Sequence, residues 1–193
     1  MSKNLDPDQE RNLVQRARSE REAFQALYAH YFPRIYAYIA YRVGRERDVE
    51  DLVADVFVRI IEALPGFEYR GPGSFTAWIF RIAHNRVIGF LRLHRHRAEA
   101  VSLDQIPEIH SSIPLPDDLL QQKETFLRLR DQIRTLSPRR QEIITLRFYG
   151  GLRNREIAVV LGLDERTVAS HLSRALEDLQ HKYADEFYKR NAP

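Results

Sequence analysis

The chain has 193 residues, 44% hydrophobic and 30% charged, with a net charge of +3 and a pI near 9.3. That is an ordinary soluble balance, long enough for one mid-sized domain or two small ones. The lack of cysteine excludes disulfides, thiolate chemistry and Cys-ligated zinc. With a polar, acidic start unlike a secretory leader and no apolar run near the ~20 residues that span a bilayer, the expected setting is the cytoplasm, without membrane insertion.

Taken in chain order, three helical stripes come first. Phe24, Leu27, Tyr28, Tyr31, Phe32, Ile35, Tyr36, Ile39, Ala40 and Val43 recur at three- and four-residue steps, and Pro33 should kink or restart that helix. Val49, Leu52, Val53, Val56, Phe57, Ile60, Ile61 and Leu64 form the second stripe, stopped by Pro65-Gly66. Ser74 opens the third, which carries Phe75, Trp78, Ile79, Ile82, Ala83, Val87, Phe90 and Leu91. Three amphipathic helices can share one core, so residues 8–97 read as a helical domain.

Residues 98–118 change character. They carry three prolines and apolar residues without a stripe, which predicts an extended linker. Helical spacing resumes at Leu119 and leads into a helix-turn-helix within residues 119–185. Ser137-Pro138 opens one helix as N-cap and first-turn proline, and Gly150-Gly151 closes it. A short helix with Glu156, Ile157, Ala158 and Leu161 follows, then a turn at Gly162 and a third helix capped by Asp164. Val168, Leu172, Ala175, Leu176, Leu179 and Tyr183 fall on its packing side. Arg166, Ser170, Ser173 and Arg174 fall on the other, small or cationic groups suited to a major groove.

Charge divides the first domain. The second helix is acidic outward, with Asp48, Glu50, Asp51, Asp55 and Glu62 against Arg59. The third helix and its approach are basic: Arg70, Arg81, Arg86, Arg92, Arg95 and Arg97 meet one acid, Glu68. Aromatic Phe67, Tyr69, Phe75 and Trp78 are interleaved. Cations that neutralise phosphate beside rings that stack on unpaired bases point to nucleic acid. Catalysis is not expected. No helical His pair at four-residue spacing sits near a carboxylate, and there is neither a Gly-rich phosphate loop nor an identifiable nucleophile set.

The strings AFQALYAHYFPRIYAYI, DVEDLVADVFVRIIEAL and GSFTAWIFRIAHNRVIGFLR, followed after the linker by LSPRRQEIITLRFYGGL, EIAVVLGL and TVASHLSRALEDL, resemble the extracytoplasmic-function (group IV) sigma factors of the bacterial sigma-70 family. The resemblance implies an all-α fold of two helical domains, sigma regions 2 and 4, and no cofactor. It also implies a sigma subunit that directs core RNA polymerase to promoters and helps melt DNA.

By the same resemblance, Asp48, Asp51, Asp55, Val58 and Arg59 would dock on the clamp helices of the largest polymerase subunit. Tyr69, Arg70, Ser74, Trp78, Arg81, His84, Asn85 and Arg92 would meet the minus-ten element. Flipping a base there costs a few kcal/mol of stacking that the pocket must offset. Arg147, Arg166, Thr167, Ser170, His171, Ser173 and Arg174 would read the minus-thirty-five duplex, with the polymerase flap holding the C-terminal module and the linker threading the active-site cleft. An anti-sigma partner is also expected.

Departures from the family pattern are Ala54 for a glutamine, Gly89 for an acid, Arg153 for a serine cap, and Ala169 and His171 for basic residues. Two other readings fit the helix-turn-helix. An autonomous regulator would usually need a dimerisation helix, which is not evident, and a sigma mimic would usually carry an attached receiver domain.

Overall fold

Asp6 starts the first helix by accepting the Asp8 N–H at 3.0 Å, with Pro7 at the first helical position. The computed structural model describes residues 5–44, 46–100, 129 and 131–191, without the side chains of 46, 95–100 and 185–191. Helix α1 (Pro7–Arg16) leads to α2 (Arg21–Val43), α3 (Glu46–Ala63), a 3-10 turn (Leu64–Gly66) and α4 (Ser74–Ala100). The second half holds α5 (Pro138–Phe148), α6 (Asn154–Leu161) and α7 (Glu165–Asn191), and no strand occurs among the described residues.

The stripes fold much as their spacing demands. Val49, Leu52, Val53, Val56, Phe57 and Ile60 of α3 face Leu27, Tyr31, Ile35 and Ile39 of α2 and Phe75, Ile79, Ala83 and Val87 of α4 in one buried core. Helix α2 runs unbroken through Pro33. The proline removes one backbone bond, but Tyr31 and Ile35 beside it are fully buried, and their packing outweighs the loss. Helix α1 has too short a stripe to be told from a leader strand in the sequence. It contributes Val14 to the core and a buried carboxylate, Glu10. Tyr31 Oη donates to Glu10 Oε1, Thr76 Oγ1 lies 3.3 Å from the same oxygen, and Tyr69 Oη lies 3.3 Å from Oε2.

Four apolar assignments are corrected. Tyr28 is 40% exposed, Ile61 53%, Leu176 43% and Tyr183 66%, so they lie on outer faces instead of in the core. Each sits at the edge of its stripe, where a 3.6-residue repeat has rotated away from the partner helix. Conversely Tyr38 and Phe80 are fully buried although neither belongs to the stripes. They face the second module.

The two modules share that core. Ile143, Leu146, Leu152, Ile157, Ala158, Val160 and Val168 join it, with α6 packed on α4 and α5 touching α2. A smaller cluster of Ile133, Leu136, Ile144 and Ala175 lies inside the second module. The segment read as a linker begins within α4, whose backbone continues to Ala100; residues 101–118, and 119–128 of the second module, lie outside the described residues.

Gly89 stands exposed in mid-α4 with nothing within 4 Å of where a Cβ would go. Gly89→Ala is therefore predicted to raise unfolding stability by roughly 0.5–1 kcal/mol. Tyr31→Phe, which leaves the Glu10 carboxylate short of its closest donor, is predicted to lower it by roughly 1–3 kcal/mol. Urea denaturation of the two variants checks both signs.

Candidate nucleic-acid interfaces

The approach to α4 is a loop shaped by Gly71 (φ 108°) and Gly73 (φ 80°). Ser74 Oγ accepts the Arg70 N–H at 3.1 Å, fixing the corner, while the Arg70 guanidinium pairs with Glu68 at 3.1 Å in a solvated pair worth little. Tyr69 is tied back to α1, its hydroxyl donating toward Pro7 O at 3.2 Å. Trp78 is half-buried against Phe67 (4.8 Å between centroids) and Phe75 (5.6 Å), with one face left to an open cleft of ≈ 650 Å³. Arg70, Arg81, Glu68 and Ser74 share that cleft, and Arg155, Glu156 and Val159 of α6 form its far wall. Arg81, Asn85 and Arg92 are exposed along α4. The structure thus gathers Arg70, Ser74, Trp78 and Arg81 at one opening, a cation-rimmed aromatic wall able to stack a base and hold a phosphate. His84 is turned away from it.

In the helix-turn-helix, the expected Ser137 side-chain cap is not formed. Gln141 instead reaches back to the Arg134 and Leu136 carbonyls at 2.8 and 2.7 Å. Arg153 provides no side-chain acceptor at the α6 N-terminus, but Glu156 three residues on accepts the Arg153 N–H at 2.7 Å, the acid's half of a capping box. Gly162 (φ 65°) ends α6 in the left-handed conformation. Arg147 donates to Leu152 O at 3.0 Å and so braces the turn from the preceding helix. On α7, Arg166, Ser170, Ser173 and Arg174 are exposed together, while Thr167 and His171 are partly covered and His171 Nδ1 is buried without a hydrogen-bond partner among the described residues. The free face is thus two arginines and two serines.

Helix α3 presents a third surface. Asp51, Val58 and Arg59 are exposed, Asp48 partly so, and Asp55 is engaged by Arg86 and, at 3.6 Å, by Arg59. Ile61, one turn beyond Val58, extends the patch, and Tyr28 of α2 stands 40% exposed with its ring 4.5 Å from Phe57. Reading Ile61 as core hid this apolar centre; its i+3 spacing from the outward Val58 was the available signal.

Between the modules lies a seam that spacing alone could not reveal. Arg34 Nε donates to Gly150 O at 2.8 Å and Nη2 to Gly151 O at 3.3 Å, with the guanidinium over the Tyr31 and Phe80 rings. Gly150 is required here: a Cβ would come within 2.8 Å of Leu146 O and 2.9 Å of Phe80 Cε1. Nearby, Glu142 of α5 is 5% exposed. It accepts from Tyr38 Oη at 2.6 Å, His84 Nδ1 at 3.1 Å and Arg42 Nη2 at 3.0 Å. Since the Tyr38 proton goes to Glu142, His84 must carry its proton on Nδ1 to bond the same oxygen. Burial alone would raise the Glu142 pKa, but the bonds from His84 and Tyr38 and the charge of Arg42 hold it below the ordinary carboxylate value. Burial, and then Glu142 itself, push the Tyr38 phenol up, and burial lowers the pKa of Arg34. Tyr41 and Tyr149 stack across the same seam at 4.5 Å.

Sigma-70 region 2 matches residues 27–97, and sigma-70 region 4 matches residues 126–179. The ECF RNA polymerase sigma factor BldN of Streptomyces coelicolor is 34% identical over 90% of this chain and 66% of that protein, so the chain spans just under two thirds of that relative. The ECF RNA polymerase sigma-E factor of Escherichia coli is 28% identical over 88% of this chain and 92% of that protein. CnrH, solved in complex with the cytosolic domain of CnrY, is 26% identical over 92% of this chain and 99% of that one, with a TM-score of 0.67. The α3 patch, the α4 cleft and the α7 face therefore stand on a known framework: the chain belongs to the extracytoplasmic-function sigma factors of the sigma-70 family.

Proposed function

We propose that this chain is the promoter-specificity subunit of a bacterial RNA polymerase, working in the cytoplasm without catalysis of its own. The observation that carries the reading is the separation of three chemically distinct surfaces on one all-α framework. The acidic and apolar α3 patch suits a protein helix, the basic aromatic opening beside Trp78 suits unpaired bases, and the exposed Arg166–Arg174 face of α7 suits duplex DNA.

On the clamp helices, Asp48, Asp51, Asp55 and Arg59 supply charge around Val58. Because Asp55 is already paired with Arg86 and Arg59, Asp51 and the apolar centre contribute more to docking. At the minus-ten element, Tyr69, Arg70, Ser74, Trp78, Arg81, Asn85 and Arg92 hold separated strands, stacking on Trp78 offsetting a few kcal/mol of lost base stacking. At the minus-thirty-five element, Arg166, Thr167, Ser170, His171, Ser173 and Arg174 face the groove, and Arg147 positions their turn. The polymerase flap holds this module, and the linker crosses the active-site cleft. A protein partner of the anti-sigma class follows from the family, and CnrH, solved in complex with the cytosolic domain of CnrY, supports a bound protein partner.

Val58→Asp with Ile61→Asp is predicted to abolish co-elution with core polymerase at micromolar concentration while leaving the melting temperature nearly unchanged, since both side chains are more than half exposed. Retained co-elution would remove α3 as the docking face. Arg174→Ala is predicted to cost roughly 1–3 kcal/mol of discrimination at one base of the minus-thirty-five site if the guanidinium reads guanine, measured by competition among mutated promoter duplexes. A uniform loss across all sequences would assign Arg174 to phosphate instead.

A further inference from the structure

The first module carries three donors that converge on one point: Tyr38 and Arg42, one turn apart on α2, and His84 on α4. A point lined by a phenol, a guanidinium and an imidazole N–H is chemically a carboxylate receptor. Its occupant comes from the other module, some 60–100 residues away in sequence. We propose that Tyr38, Arg42 and His84 form a receptor whose built-in ligand is Glu142, and that this contact latches the second module over α4 in a closed form that cannot engage both promoter elements at once.

Several features make the contact specific. A carboxylate this deeply buried is costly unless nearly all its acceptor capacity is used, and both Glu142 oxygens are bonded. Among the described residues, Arg42 Nε is buried without a hydrogen-bond partner, so the guanidinium depends on Glu142 for its compensation. Beside the receptor, Arg34 clasps the Gly150 and Gly151 carbonyls, and Phe80 fits where Gly150 has no side chain. Sterics and polarity therefore agree on one docking pose.

The latch competes with DNA at two places. His84 cannot face a nucleic acid while it holds Glu142. Helix α6 packs on α4 and walls the Trp78 cleft with Arg155, Glu156 and Val159, so a strand reaching Trp78 must pass or displace it. Opening vacates the receptor and frees α4 and α7 to separate, as two promoter elements at different places on the DNA require. This consequence rests on the function proposed above; the latch itself does not.

The chain has no cysteine, so Glu62→Cys on α3 and Glu177→Cys on α7, both exposed, accept a spin-label pair in the 193-residue chain. Pulsed dipolar spectroscopy should give one narrow distance distribution for the otherwise unaltered chain. Glu142→Ala should broaden and lengthen it, and Tyr38→Phe, which keeps the ring and deletes only the hydroxyl, should shift it part of the way. Affinity for a fluorescent single-stranded minus-ten oligonucleotide should rise roughly 10- to 100-fold in Glu142→Ala, the scale of a lost charged hydrogen bond. A distribution that stays narrow in both variants overturns the latch. If Glu142→Ala loses its helical signal, Tyr38→Phe decides between the two outcomes alone. Opening with unchanged oligonucleotide affinity upholds the latch and overturns the assignment of α4 to promoter DNA.

Discussion

A carboxylate withdrawn from water must be paired or neutralised, and the closed arrangement of this protein follows from how Glu142 meets that demand. Its donors all come from the opposite module. Burial of Tyr38 and Phe80, the clasp of Arg34 on the Gly150 and Gly151 carbonyls, and the continuity of one apolar core across both halves are parts of the same seam. A surface ion pair at this place would be screened and weak. At 5% exposure Glu142 is costly unless paired, and its pairing adds a directional constraint to the apolar core that the modules share.

The arrangement separates two tasks that a two-handed DNA reader must combine. On the proposed function each grip can be individually weak, because docking on polymerase and the partner grip would raise the local concentration of the other. The α7 face fits that economy: it exposes two arginines and two serines, with Ala169 and the partly covered His171 adding no free cation.

Much of this architecture was legible in the sequence. The α3 stripe, the Ser74 start, the glycine stops at Gly151 and Gly162, and the order of the two modules follow from periodicity and turn chemistry, which are local. What local rules missed is what distance in sequence conceals. Tyr38 and Phe80 fall off the stripes because they pack across a seam formed by residues roughly 70 to 100 positions away. Pro33, which the sequence reads as a kink or a restart, does not restart the helix, which tertiary packing carries through. Ile61 and Tyr183 continue their stripes on paper, but the helices they sit on have by then turned their faces outward. The family resemblance places His84 at DNA; in the closed form its proton serves Glu142. The cation-rich opening beside Trp78 was legible as a set of residue types, and its shape was not.

The central claim is that this chain tells polymerase where to start. The most direct measurement is to map the 5′ ends of transcripts made from genomic DNA by core polymerase with and without the purified chain. The account predicts a new set of discrete start sites that share upstream sequence at two spaced positions and disappear when the α3 docking face is disrupted. Transcripts whose ends are unchanged by adding the chain would contradict it.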